Sequence, residues 1–153
     1  MFVNKNYEQA SDAFLMAGRD REAAICDAYL LREKARLTST TTEAARIRAF
    51  AAAADAFTAC ARDSPSKQVN ERLAYYGTAG DCYSEARNLK NAGDSFRMAE
   101  RFDAAAQTYR EGGYFSEVAE VIIRHGSSFR DGDLLERLTK VAQMYYFKVR
   151  FSR

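Results

Sequence analysis

A 13-residue period limits what this chain can fold into more than any other feature of it. Four segments open on an apolar residue at Tyr76, Leu89, Phe102 and Phe115, each 13 residues after the last. Counting the opening residue as position 1, position 4 is Ala79, Ala92, Ala105 and Val118, position 8 is Tyr83, Phe96, Tyr109 and Ile122, and position 11 is Ala86, Ala99, Gly112 and His125. At about 100° per residue, positions 1, 4, 5, 8 and 11 share one stripe. Each segment is therefore expected to be an amphipathic helix of about ten residues, about 15 Å long, closed by a tight turn. Arg87-Asn88, Glu100-Arg101, Gly112-Gly113 and Gly126 sit where those turns belong. Helices this short are marginal alone and must stack to bury their stripes. Stacking at a fixed period predicts a helical solenoid.

The same register recurs earlier, with Tyr7, Ala10, Phe14 and Ala17 before Gly18, and with Phe50, Ala53, Phe57 and Cys60. Between them a helix is expected from Arg19 to about Leu37, then a Ser/Thr-rich loop over 37–42 in which Thr40 and Glu43 form a capping box. A third helix should end near 62. Ser64 as N-cap and Pro65 in first position predict the next helix over about 65–87. After a loop over 127–131, Asp133 and Glu136 open a last helix reaching about Val149. The expectation is an all-α, right-handed α-solenoid of short antiparallel helical hairpins, one domain over 1–153. The early repeat and the apolar tail MYYFKVRF read as a piece of a longer protein.

Ala is common, with one Pro and no Trp, which favours helix over sheet. A net charge of +2 offers no global attraction to nucleic acid or an anionic membrane. Cys26, Cys60 and Cys82 have no CxxC spacing and an odd count, which fits a reducing intracellular compartment, cytoplasmic or nuclear. The N-terminal residues lack a signal-peptide apolar run, and no stretch approaches a membrane span.

The repeated motif in YEQASDAF, FAAAADAF, YGTAGDCY and LKNAGDSF resembles tetratricopeptide-like helical repeats over nearly the whole chain. Its short spacing departs from their 34-residue unit and is similar to the helical hairpins of clathrin-like and SNAP-like vesicle-traffic proteins. AYLLREKAR, followed by AADAFTACA and AYYGTAGDCY, also resembles the repeat region of very large fungal proteins that carry a UvrD-like helicase core. The first resemblance implies a protein-binding scaffold, the second a nucleic-acid-associated accessory domain. No GxxxxGK followed by Ser or Thr occurs, so no ATPase activity carries over.

No catalytic, cofactor or metal set can be assembled from one histidine and three scattered cysteines. His125 reads as a helix-end residue, and Cys60 and Cys82 as core. Position 6 is acidic at Asp12, Asp55, Asp81, Asp94 and Glu120, either a solvated row, helix-end acceptors or a ladder for a basic peptide. Arg97, Arg101, Arg110 and Tyr114 project from the short helices and are the expected contacts for a partner's peptide or helix. Arg32, Lys34, Arg36, Arg46 and Arg48 are the alternative, a phosphate-binding cluster. Tyr145, Tyr146 and Phe147 cannot all face one side of a helix, so they are read as an association surface that could pair two copies through the last helix. The function expected is non-enzymatic protein–protein interaction.

Overall fold

The computed structural model describes residues 2–38 and 42–151, with side chains described for 6–38 and 42–150. The described residues form eight α-helices and no strand: α1 Phe2–Met16, α2 Asp20–Thr38, α3 Glu43–Arg62, α4 Val69–Glu85, α5 Leu89–Met98, α6 Phe102–Glu111, α7 Phe115–His125 and α8 Gly132–Phe151. Every helix packs on its neighbours in the chain, and α8 also reaches α6 across α7. A 3-10 turn at Gly126–Ser128 interrupts the period after α7.

The period is visible in the packing. Ala79, Ala92, Ala105 and Val118 at position 4 are all fully buried. At position 8, Tyr83, Phe96 and Tyr109 are buried and Ile122 is half-buried. A side chain at position 8 lands on position 5 of the helix before it. The Phe96 ring covers Gly80, where a Cβ would lie 2.7 Å from the ring, and Tyr109 covers Gly93, where a Cβ would lie 2.6 Å from Cδ1. Glycine at position 5 is what lets the helices approach this closely.

The turns repeat as well. Residues at position 12, Gly18, Arg87, Glu100 and Gly113, all have φ between 59° and 79°. The next N–H then reaches back to the position-8 carbonyl: Arg19 to Phe14, Asn88 to Tyr83, Arg101 to Phe96 and Tyr114 to Tyr109, at 2.8 to 2.9 Å. This closes each helix with a Schellman turn and starts the next at once.

Three expected starts move. Thr42 caps α3, accepting from the Ala45 N–H at 3.1 Å, while Thr40 lies outside the described residues. The helix expected from Pro65 begins instead at Val69. Ser64 Oγ donates backward to the Cys60 carbonyl at 2.9 Å and finishes α3, while Gln68, four residues on, holds the N-cap place of α4. Asp131, two residues before the expected Asp133, caps α8 by accepting from the N–H groups of Asp133 and Leu134.

The first half is joined by a run of rings, one per helix. Tyr7 stacks on Tyr29 at 5.7 Å, Tyr29 meets Phe57 edge-on at 5.1 Å, and Phe57 stacks on Tyr75 at 6.5 Å. Phe57 is fully buried at the centre of this run.

Candidate functional site

Residues of the basic cluster lie on two facing helices. Arg32 and Arg36, four apart on α2, and Arg46 on α3 line a groove of about 570 Å³ whose far wall on α4 carries Asp81, Cys82 and Glu85. Lys34 and Arg48 are not part of it. Lys34 turns toward Glu8 of α1 at 3.6 Å, and Arg48 is exposed. Within the groove Arg46 pairs with Glu85, and Arg36 with Glu33 at 2.8 Å. The Arg32 guanidinium lies over the rings of Tyr29 and Phe57 at 5.0 and 5.8 Å, and its Nε is 3.7 Å from Glu33. Carboxylates therefore already face the cations that a phosphate would need.

The acidic position is partly consumed inside the fold. Tyr83 donates its hydroxyl to Asp55 at 2.6 Å, and Tyr109 donates to Asp94, which also pairs with Lys90 at 2.9 Å. Where position 8 is Phe96 and has no hydroxyl, Asp81 is met by Arg101 at 3.8 Å. These acids tie one helix to the next.

Two of the expected partner contacts are spent the same way. Arg97 lies over the Tyr109 ring at 5.7 Å and 3.5 Å from Glu120, and Arg101 lies over Phe96 at 4.8 Å. Arg110 is exposed, and Tyr114 sets its ring edge-on to Tyr109 at 6.5 Å. Arg101, Arg110 and Tyr114 are exposed, and Arg97 is half-buried.

Burial pushes the Cys82 thiol up to about 11 and raises Cys60 and Cys26 above the ordinary range, which weakens each as a nucleophile. His125 stacks flat on Phe102 at 3.8 Å. No cluster of His, Cys, Asp or Glu among the described residues could hold a metal, and no described helix is long and apolar enough to cross a membrane.

The raised phenol and thiol pKa values give the fold an alkaline limit. Burial, joined by the hydrogen bond to a carboxylate, raises the Tyr109 and Tyr83 phenols, as burial raises the Cys82 thiol. Above about pH 9 the unfolded chain loses these protons first, so the folded state binds more protons and stability falls as pH rises. Urea midpoints should be flat from pH 7 to about 8.5 and fall steeply above 9.5. Cys82→Ala should remove about 2 kcal/mol of the loss by pH 11; an unchanged slope in that variant would show that the thiol is not the buried acid.

Exposed apolar side chains cluster on the last two helices. Tyr145 packs inward on Phe115 at 5.3 Å, whereas Tyr146 is 50% and Phe147 66% exposed. Ile123 of α7, 81% exposed, shares one concavity with Tyr146 and Phe147, and Met144, 72% exposed, shares another with Phe147. Two concavities flank this part of α8. One, of about 460 Å³, lies between α7 and α8, and the other, of about 990 Å³, opens beside Phe115. The sequence placed these aromatics, and Met144 with them in the apolar tail, on a surface, but Ile123 gave no signal of its own. No family model, curated protein or solved structure matches the chain, so its functional reading rests on this geometry.

Proposed function

We propose that this chain is a non-enzymatic helical-repeat scaffold, a right-handed solenoid of short antiparallel hairpins that binds a partner protein through the outer face of α7 and α8. The observation that carries the reading is the exposure of Ile123, Tyr146 and Phe147 around one groove between two adjoining helices. A helix apolar on nearly every side is a buried helix, and the second half of α8 has that composition with no described neighbour over its outer face. The tetratricopeptide-like resemblance points the same way.

The alternative, a nucleic-acid-associated accessory domain using Arg32, Arg36 and Arg46, is weakened by the carboxylates already paired with Arg36 and Arg46. A photoreactive residue placed at 147 or at Thr78, which lines the Arg32–Arg46 groove, separates the two in extract of the source cells. Protein adducts concentrated at 147 support the scaffold; nucleic-acid adducts at 78 that vanish at high salt support the alternative. Adducts spread evenly, or absent from 147, would sink the proposed face. Tyr146→Lys/Phe147→Lys should lose the adducts of a probe at 144 while keeping thermal stability within about 0.5 kcal/mol, as exposed changes do.

A further inference from the structure

We infer that α8 is a releasable strap over the end of the stack, which opens as one unit about a hinge at Arg130-Asp131 and uncovers Phe115 and Ala119 of α7 while the earlier helices stay folded. This goes beyond the scaffold reading, because it concerns when that face is open rather than what it holds. The period breaks where the strap is joined. A further repeat is due at Ser128, 13 residues after Phe115, but Gly126–Ser128 form a 3-10 turn and α8 starts at Gly132. Position 12 is left-handed at Gly18, Arg87, Glu100 and Gly113, whereas Gly126 at the same position has φ −56°. The Schellman turn that joins α4 to α5, α5 to α6 and α6 to α7 is therefore absent between α7 and α8.

Packing on α7 is lighter than packing within the stack. Phe96 covers Gly80 and Tyr109 covers Gly93, but Ala119, at the same position 5 of α7, lines the concavity between α7 and α8. Among the described side chains of α8, Leu138 and Ala142 are buried, whereas α3, also of 20 residues, buries six. Tyr145 adds its ring contact with Phe115 at 5.3 Å. Polar contacts run across the stack from Tyr83 to Asp55, from Tyr109 to Asp94 and from Arg97 to Glu120. The pair Lys140–Glu136 lies within α8 and travels with it. A helix held by few buried apolar side chains opens at a lower free energy than one interlocked on both sides.

The connection itself locates the hinge. Phe129 packs half-buried against the core, and the Arg130 N–H donates to Asp103 of α6 at 3.4 Å, so this end stays with the stack. Asp131, next in the chain, caps α8 and moves with it. The bend therefore falls between Arg130 and Asp131. Gly132 beside it would have nothing within 4 Å of a Cβ, which leaves the start of α8 room to swing.

Native-state amide hydrogen exchange on the whole chain, in rising low concentrations of urea, tests the strap. Amides from Leu138 to Tyr146 should share one opening free energy and exchange at least about tenfold faster than those of α3–α6. Their urea dependence should be the smaller, because releasing one helix exposes less surface than unfolding the chain. Leu138→Ala removes the larger of the two buried side chains and should speed α8 exchange about tenfold or more, leaving α3–α6 within about twofold. Protection that falls steadily toward Phe151, with Leu138 exchanging together with α3–α6, is end fraying and overturns the strap. One exchange rate and one urea slope for every helix, or a Leu138→Ala effect equal in α8 and α3–α6, overturns it as well. Photoadducts at 147 would leave the scaffold reading standing in each of these cases.

Discussion

Gly93→Val should destabilise the chain by about 3 kcal/mol, a fall of about 6–12 °C in thermal midpoint for a domain of this size. A Cβ on Gly93 would lie 2.6 to 2.8 Å from Cδ1 and Cζ of Tyr109, a fully buried ring, and the γ-methyls of valine deepen the clash. The ring cannot move outward without loosening its hydrogen bond to Asp94. Gain in helix propensity offsets only a fraction of this, under about 1 kcal/mol. Gly132→Ala is the control, since nothing lies within 4 Å of a Cβ there. Tyr109→Ala alone should cost about 3–5 kcal/mol, and the double change clearly less than the sum, because removing the ring removes the clash. Strict additivity in urea melts would show that Gly93 and Tyr109 do not meet.

What the sequence reveals and what it hides follow from the range of the interactions. The 13-residue period, the buried position 4 and the turns at Arg87-Asn88 and Glu100-Arg101 are legible because helix periodicity and turn spacing are local. The left-handed conformation at Arg87 and Glu100 is visible only through its alignment with Gly18 and Gly113 in the same register. Ser64-Pro65 misleads because a serine hydroxyl can serve the helix behind it as readily as the one ahead, and here it serves Cys60. Asp94 reads as one of an acidic row, and Arg97 and Arg101 as contacts for a partner, because their partners inside the fold, Tyr109, Glu120 and Phe96, sit on other helices. Which position meets which across helices depends on interhelix register, and the period alone does not contain it. The α8 aromatics are legible for a simpler reason: three consecutive bulky residues on a helix span about 200° and cannot share one stripe.

Ala92→Asp should be the most damaging single change at the repeated positions, costing about 4 kcal/mol or more at pH 7. Ala92 is fully buried in α5 within the apolar core, so the new carboxylate would be desolvated there. Burial must raise that carboxyl in the folded state above its unfolded value. A folded state that holds the proton longer gains relative stability as pH falls, so the cost should shrink between pH 7 and pH 4 and approach that of Ala92→Asn, which has the same shape and no charge. Ala52→Asp separates burial from composition. Ala52 lies in the alanine run of α3 but faces solvent beside the fully buried Ala53 and Ala54, and its replacement should stay within about 0.5 kcal/mol. Chemical denaturation of the three variants at both pH values decides the matter. A pH-independent loss at position 92 would mean overpacking is the cause, and a loss at 52 equal to that at 92 would mean that the period does not sort buried from exposed positions.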